Sequence, residues 1–369
     1  MKIAIIHDVV EEWGGANKFL CELLKIFPNS DLYTLYFDNY DSNNKGIKDL
    51  TGKVVTNKLI NFWKKLRLPY FRSLMLLISP YFWEKLDMSG YDFVISSTYG
   101  YGSYGVIVPP QTKHLCYCHT PSKRLYGERR QMIMRGGKKQ FFNLSWLYCR
   151  RRLWDFVAAQ RPDVWWSNSK YTQMRIKRIF RRESEVVYVP MKSFKGVVGK
   201  HNGYYLYFGR LVLDKGLEMI IEAFNDNKKK LLIVGRGEKK DEKYLKKIAN
   251  NNINFCGFIE DKKMSDIFSS AKALIFAAKN EDFGMVMVEA MSAGVPVIAY
   301  SAGGAVEIIE NEKTGVLFQE YDKRALNEAI NKFEKTKIKS AVCIRRAKYF
   351  INNGFRMKIL TLVDDLFKE

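Results

Sequence analysis

Two carboxylates eight residues apart stand out in the second half of the chain, in the run Glu281-Asp-Phe-Gly-Met-Val-Met-Val-Glu289. The run continues as Ala290-Met-Ser-Ala-Gly294-Val-Pro296. This pattern predicts Glu281 in the loop before a helix and Glu289 about one turn inside it. Carboxylates accept hydrogen bonds from paired sugar hydroxyls. Gly284 lets a ligand come close to the backbone. The N–H groups of Phe283, Gly284 and Met285 lie at the expected helix start, where they suit a phosphate or a sugar oxygen. Upstream, Gly209-Arg210-Leu-Val-Leu-Asp-Lys215-Gly216 holds an arginine fork and a lysine point charge five residues apart, able to converge on a diphosphate.

Glycine turns recur between these groups. They are Ile233-Val-Gly235-Arg-Gly237, Asn254-Phe-Cys-Gly257-Phe258 and Ser301-Ala-Gly303-Gly304. Near the start, Gly14-Gly15-Ala16 follows an apolar run, and in Cys116-Tyr-Cys-His119-Thr-Pro121 a single histidine follows another. A histidine at the end of a strand is able to donate to a sugar or to a leaving phosphate.

The elements that must position these residues alternate strand and helix. Strands are expected at residues 2–8, 31–37, 91–96, 106–108, 114–117, 164–168 and 186–189, with helices at 17–27, 146–160 and 170–180. After a glycine-containing linker at 191–203, the rhythm restarts. Strands are then expected at 204–208, 230–234, 253–256, 273–276 and 296–300, and helices at 217–224, 241–249, 264–270, 285–293 and 305–309. Strands alternating with helices imply parallel sheets. The expected class is α/β: two doubly wound Rossmann-like domains, residues 1–190 and 204–344, with a ligand in the cleft between them. The tail, 345–369, is expected to be helical and to cross back onto the first domain.

The chain has 369 residues and a formal net charge of +22. Residues 51–200 carry 28 Lys and Arg against 8 Asp and Glu, so most of the excess lies there. Residues 123–182 carry 17 against 3, with Phe141, Phe142, Trp146 and Trp154 among the cations, and Leu66 to Trp83 mixes Arg67 and Arg72 with aromatic and aliphatic residues. Such asymmetry points to an anionic partner: nucleic acid, a membrane surface or a phosphorylated substrate. No nucleic-acid module is recognisable, so none is expected. Cations beside apolar residues suit an anionic membrane interface. The start does not read as a signal peptide, and the apolar stretch Leu74 to Trp83, which Pro80 is expected to break, is too short to span a bilayer. The six cysteines form no disulfide or zinc pattern, which fits reduced thiols in a cytosolic protein.

Taken together, these motifs resemble the retaining glycosyltransferases of family four, whose fold, GT-B, sets two Rossmann-like domains face to face. The resemblance spans nearly the whole chain, with Ser89 to Ser97 and Trp165 to Ile176 similar to first-domain segments of a sub-branch of bacterial mannosyltransferases that build surface polysaccharides. It implies that Glu281 contacts donor-sugar hydroxyls and Glu289 the nucleotide ribose. It further implies that Gly209, Arg210 and Lys215 grip the donor phosphates, and that Gly235, Gly257 and Phe258 lie at the nucleotide. Phe283, Gly284, Met285, Gly303 and Gly304 would line the donor phosphates and sugar. Gly14 and Gly15 would sit near the diphosphate and the acceptor, with His119 at the reacting sugar. The family's usual GGAE carries Asn17 here in place of the acidic residue. The implied donor is a nucleotide-diphosphate sugar, GDP-mannose first, used as substrate with no cofactor and no metal. The implied acceptor is a glycan or lipid-linked glycan at the cytoplasmic membrane face. An epimerase on the same fold is the alternative.

Overall fold

The computed structural model describes residues 1–10, 14–37, 52–65, 71–127, 138–194, 203–352 and 354–368; the side chains of 64, 65, 72, 138–145 and 261 are outside that description. Much of the expected linker, the Glu11-Glu12-Trp13 turn, Arg67 and the rings of Phe141 and Phe142 therefore lie outside the described residues. The chain divides into two compact units, Met1–Pro190 with Gly354–Glu369, and Met191–Asn353. Each is built on a fully parallel sheet.

In the first unit the strands are β1 (Ile3–His7), β2 (Asp31–Thr34), β3 (Val54–Thr56), β4 (Phe93–Thr98), β5 (Lys113–Cys118), β6 (Val164–Ser167) and β7 (Glu185–Val186). They lie in the order β3-β2-β1-β4-β5-β6-β7. All five residues of β1 are buried, and so are all six of β4. An unbroken buried run is what a central parallel strand needs, because helices cover both of its faces. The helix Gly15–Ile26 buries Phe19, Leu20, Leu23 and Leu24 at helical spacing.

In the second unit β8 (Tyr204–Phe208), β9 (Leu231–Val234), β10 (Ile253–Gly257), β11 (Ala271–Phe276), β12 (Val297–Tyr300) and β13 (Gly315–Phe318) lie in the order β10-β9-β8-β11-β12-β13. The core joins Tyr205, Ile233 and Ile275 from the strands to Ile220 and Phe224 of the helix Leu217–Asn227.

The structure departs from the expected elements in three places. Val106 to Val108 is not a strand. It follows a 3-10 turn at Ser103–Gly105, and Val106 is buried in the core. Pro109 and Pro110 have no N–H to give a ladder, and β4 already has β1 and β5 on its two sides. The tail is not one helix. It breaks before Gly354, whose φ is +67°, into Ser340–Ile351 and Phe355–Leu366. The second of these belongs to the first unit: Phe355 meets Phe19 edge-on at 5.3 Å, and Lys358 pairs with Glu185 at 2.8 Å. Finally, the helix Phe71–Glu84 runs through Pro80, where the sequence suggested a break.

One buried carboxylate organises the rim of the first sheet. Asp8, directly after β1, accepts hydrogen bonds from the backbone N–H groups of Tyr99 (2.7 Å), Tyr101 (2.9 Å) and Ser103 (3.0 Å), and from the Thr98 hydroxyl at 3.1 Å. It thereby shapes the loop after β4. Asp8→Ala strands these donors, so the expected cost is about 3 kcal/mol, read as a melting temperature lower by roughly 6–12 °C.

Candidate active site

In both sheets the strand order reverses between the first strand and the fourth, β1/β4 in one and β8/β11 in the other. Loops at the carboxyl ends of strands on either side of such a reversal splay apart and leave a crevice. Every candidate residue of the second unit except Glu289 falls at or in the segment that follows the carboxyl end of a strand. Gly209, Arg210 and Lys215 follow β8, and Gly235 follows β9. Gly257 ends β10 with Phe258 after it. Glu281, Phe283, Gly284 and Met285 follow β11, and Gly303 and Gly304 follow β12.

Backbone contacts draw these loops together. The Gly235 N–H donates to the Gly257 carbonyl at 2.8 Å, and a β-carbon on Gly235 would stand 1.8 Å from the Gly209 oxygen, so only glycine fits. The Gly304 N–H donates to the Glu281 carbonyl at 3.0 Å. Lys215 forms an ion pair with Glu281, Nζ to Oε2, and both side chains are partly exposed. Two motifs 66 residues apart are thus joined by a charge pair. Glu289 lies in the helix Met285–Ser292 and is 4% exposed, so it is not a surface helix carboxylate. The Arg236 guanidinium lies 5.1 Å over the ring of Phe258, which is itself exposed.

Tyr207 was not singled out in the sequence. Its hydroxyl donates to the Arg210 carbonyl at 2.9 Å and holds the loop bearing Arg210 and Lys215. Burial pushes its pKa up, and the charges of Glu281 and Asp214 push it further. The signal in the sequence was its inward position on β8, two residues before Gly209.

The first unit carries Gly14, Gly15 and His119. Gly14 caps the helix Gly15–Ile26. His119 directly follows β5, its N–H donating to the Thr98 carbonyl at 2.8 Å. Its ring is 7% exposed and lies among Phe19, Tyr117 and Tyr99, with centroids 5.0, 5.0 and 6.5 Å away. Burial lowers its pKa to about 3, with His7 contributing, so the ring is neutral. Ser97 Oγ lies 3.1 Å from His119 Nε2 and 3.0 Å from His7 Nδ1, and His7 Nε2 lies 3.0 Å from Asn17 Oδ1. His7 and Ser97 are not among the candidate site residues of the sequence motifs described above. Their signal was position at the carboxyl ends of β1 and β4, where the strand order reverses.

Much of the basic segment is committed to structure. Arg151 is 3% exposed, pairs with Asp155 at 2.7 Å and donates to the carbonyls of Leu76 and Tyr101. Arg175 and Arg182 likewise donate to backbone carbonyls.

Residues 191–350 match the family described as Glycosyl transferases group 1. The match takes in nearly all of the second unit, Met191–Asn353, which is therefore referred to below as the group 1 domain.

The group 1 domain thus contains Arg210, Lys215, Glu281, Glu289 and the glycine turns at 235, 257 and 303. Relatives agree with it. The chain is 34% identical over 120 residues to the uncharacterized glycosyltransferase MJ1607 of Methanocaldococcus jannaschii, covering 30% of each chain. It is 35% identical over 128 residues to the phosphatidyl-myo-inositol mannosyltransferase of Mycobacterium leprae, covering 33% of this chain and 32% of the relative. Both are thus matched over about a third of their own length. Among solved structures, Anabaena HepE in complex with UDP and glucose superposes with a TM-score of 0.70 at 18% identity, over 99% of each chain. At that identity the likeness establishes the fold: two parallel-sheet α/β domains of the GT-B kind, of which the group 1 domain is the second.

Proposed function

We propose that the chain is a retaining glycosyltransferase that moves a hexose from a nucleotide-diphosphate donor to a glycan or lipid-linked glycan. The Lys215–Glu281 pair, set among glycine turns at the strand-order reversal of the group 1 domain, carries this reading. The two charges pair with each other in the structure. With donor bound, Lys215 turns to the diphosphate beside Arg210, and Glu281 accepts hydrogen bonds from the sugar hydroxyls. Glu289 takes the ribose, and Gly235, Gly257 and Phe258 adjoin the nucleotide. Gly303, Gly304 and the N-terminal turn at Phe283, Gly284 and Met285 adjoin the phosphates and sugar.

Chemistry then starts with cleavage of the donor C1–O bond, which leaves an oxocarbenium-like sugar. Arg210 and Lys215 stabilise the negative charge growing on the diphosphate. The acceptor hydroxyl attacks from the same face, and the departing phosphate takes its proton, so configuration at C1 is retained. In the first unit, Gly14, Gly15 and His119 serve the acceptor and the reacting sugar.

The donor sugar is mannose and the nucleotide GDP in the first instance, a choice supported by the mannosyltransferase named among the relatives. HepE's complex with UDP and glucose makes UDP-sugars the comparison. The deciding experiment is transfer and saturation-transfer NMR with a panel of GDP- and UDP-sugars, with and without EDTA. Binding and turnover of one donor class, undiminished by EDTA, is the expected result. Turnover abolished by EDTA and restored by Mn²⁺ would overturn the two-cation mechanism, and no binding of any nucleotide sugar would overturn the assignment.

The acceptor reading extends to the membrane surface at the cytoplasmic face. It is supported by the helix Lys138–Ala158, which exposes Trp146, Leu153, Phe156 and Val157, with Arg150 4.8 Å over the Trp146 ring. No described helix is long and apolar enough to cross a bilayer. Co-sedimentation with anionic liposomes should rise with anionic lipid content and fall at high salt, each well-placed cation adding about 1 kcal/mol. Equal binding to neutral vesicles, or none to either, would remove the membrane surface from the reading.

A further inference from the structure

Four polar side chains form a buried line across the carboxyl ends of the first unit's central strands: Asn17, His7, Ser97 and His119, linked at 3.0, 3.0 and 3.1 Å. We propose that Asn17, His7 and Ser97 are positioning residues that hold His119 as the neutral tautomer protonated on Nε2, so that Nδ1 is offered as an acceptor to a ligand hydroxyl. This reverses the donor role that the sequence suggested for His119.

The direction follows from counting protons. An amide oxygen only accepts. With the Asn17 amide oriented so that Oδ1 faces it at 3.0 Å, His7 Nε2 carries a proton. His7 is fully buried, and burial lowers its pKa to about 4 even though neighbouring Asp8 and hydrogen bonds to Asn17 and the Val9 backbone raise it. It is neutral, its single proton is on Nε2, and its Nδ1 carries a lone pair. Ser97 has one hydroxyl proton, which goes to that lone pair at 3.0 Å. The Ser97 oxygen is then left to accept, and the atom at 3.1 Å is His119 Nε2. His119 Nε2 is thus the donor. With one proton on a neutral ring, His119 Nδ1 has a lone pair, and among the described residues nothing bonds to it.

The chemical consequence is a choice of ligand. A phosphate oxygen brings a lone pair to a lone pair and is disfavoured. A sugar hydroxyl brings a proton and is bound. Asn17 is central to this choice. A carboxylate in its place would favour a protonated His7, whose Nδ1–H would donate to Ser97 and reverse the line. With the amide turned the other way, every bond also reverses, and His119 carries its proton on Nδ1. The inference rests on the sugar-transfer reading only for the identity of the hydroxyl. The protonation of the ring is a property of the first unit alone.

The test is histidine ¹⁵N NMR of the full chain labelled at its imidazoles. The chain has four histidines, so removing them one at a time assigns the signals. Protonated and unprotonated ring nitrogens have well-separated shifts. The expected spectrum shows His119 protonated at Nε2, unprotonated at Nδ1 and unchanged between pH 5.5 and 8, roughly the window in which an ordinary histidine titrates. Added inorganic phosphate should leave Nδ1 unprotonated. In Ser97→Ala the preference for Nε2–H should be lost and a mixture of tautomers appear. A proton on Nδ1 in the unaltered protein, a doubly protonated ring on adding phosphate, or a pure Nε2–H tautomer surviving in Ser97→Ala would each overturn the proposal. None of these readouts requires transfer activity, so failure of the functional reading would be seen separately.

Discussion

Glu281→Gln is expected to leave the second unit folded and to lower sugar-transfer turnover by about 10²–10³-fold, the size of effect seen when one preorganised group that meets transition-state charge is removed. The amide keeps the shape of the carboxylate but gives up one acceptor oxygen and the charge that holds Lys215 in place. Lys215 and Glu281 come from the segments after β8 and β11, and their ion pair is a direct link between the two. Lys215→Ala should lose turnover on a similar scale through the opposite partner. Because both side chains are partly exposed, the ion pair itself adds little to stability, about 1 kcal/mol or less. The measurement is therefore turnover per folded molecule beside the melting temperature. Wild-type turnover in either variant would make the pair a surface ion pair and displace the site.

Gly303→Ala should also abolish most transfer, for a backbone reason. Gly303 has φ +58°, and a β-carbon there would stand 2.1 Å from the Glu281 carbonyl oxygen. No flexible side chain is available to yield, so the two loops must separate. A displacement of about 1 Å at a site that depends on alignment can cost on the order of 10²-fold in rate. The expected outcome is a folded protein with turnover down at least that far and weakened nucleotide binding. Unaltered turnover and binding would show that the turn after β12 does not set the position of Glu281. The contrast between Glu281→Gln and Gly303→Ala is informative: one removes chemistry and keeps geometry, the other does the reverse.

The elements that frame the group 1 domain were legible because each is a strong local signal. Tyr204 to Phe208 and Lys230 to Val234 are short, mostly apolar runs that each end at a glycine, and the strands observed are Tyr204–Phe208 and Leu231–Val234. The helix at Lys170–Phe180 begins at Ser169, whose side chain accepts from the Thr172 N–H, a cap visible in the residue types. Other segments were not legible. Val54–Thr56 is three residues long and on the sheet edge, so it has no pattern of its own. Gly315–Phe318 and the helix Lys323–Lys335, capped by Asp322, lie beyond the last motif and were passed over. Phe71–Glu84 misled because Pro80 reads as a break. Its helix persists because Met75, Leu76 and Trp83 are buried against the unit, and tertiary burial outweighs a local penalty of about 3 kcal/mol.

What the sequence determined by itself was the period of its elements, the parallel class of its sheets and the spacing of Glu281, Glu289, Arg210 and Lys215. Those properties are local: propensity, alternation and turn chemistry act over a few residues. What only the tertiary structure decided was which side chains meet. Lys215 pairs with Glu281 across 66 residues. Ser97 bridges His7 and His119 from three different strand ends, and Asp8 gathers donors from residues 98 to 103. Strand order makes these meetings, since β4 lies beside β1 although some ninety residues separate them. No local rule contains that order, because the sheet is assembled by burial of whole apolar faces rather than by any one residue's preference.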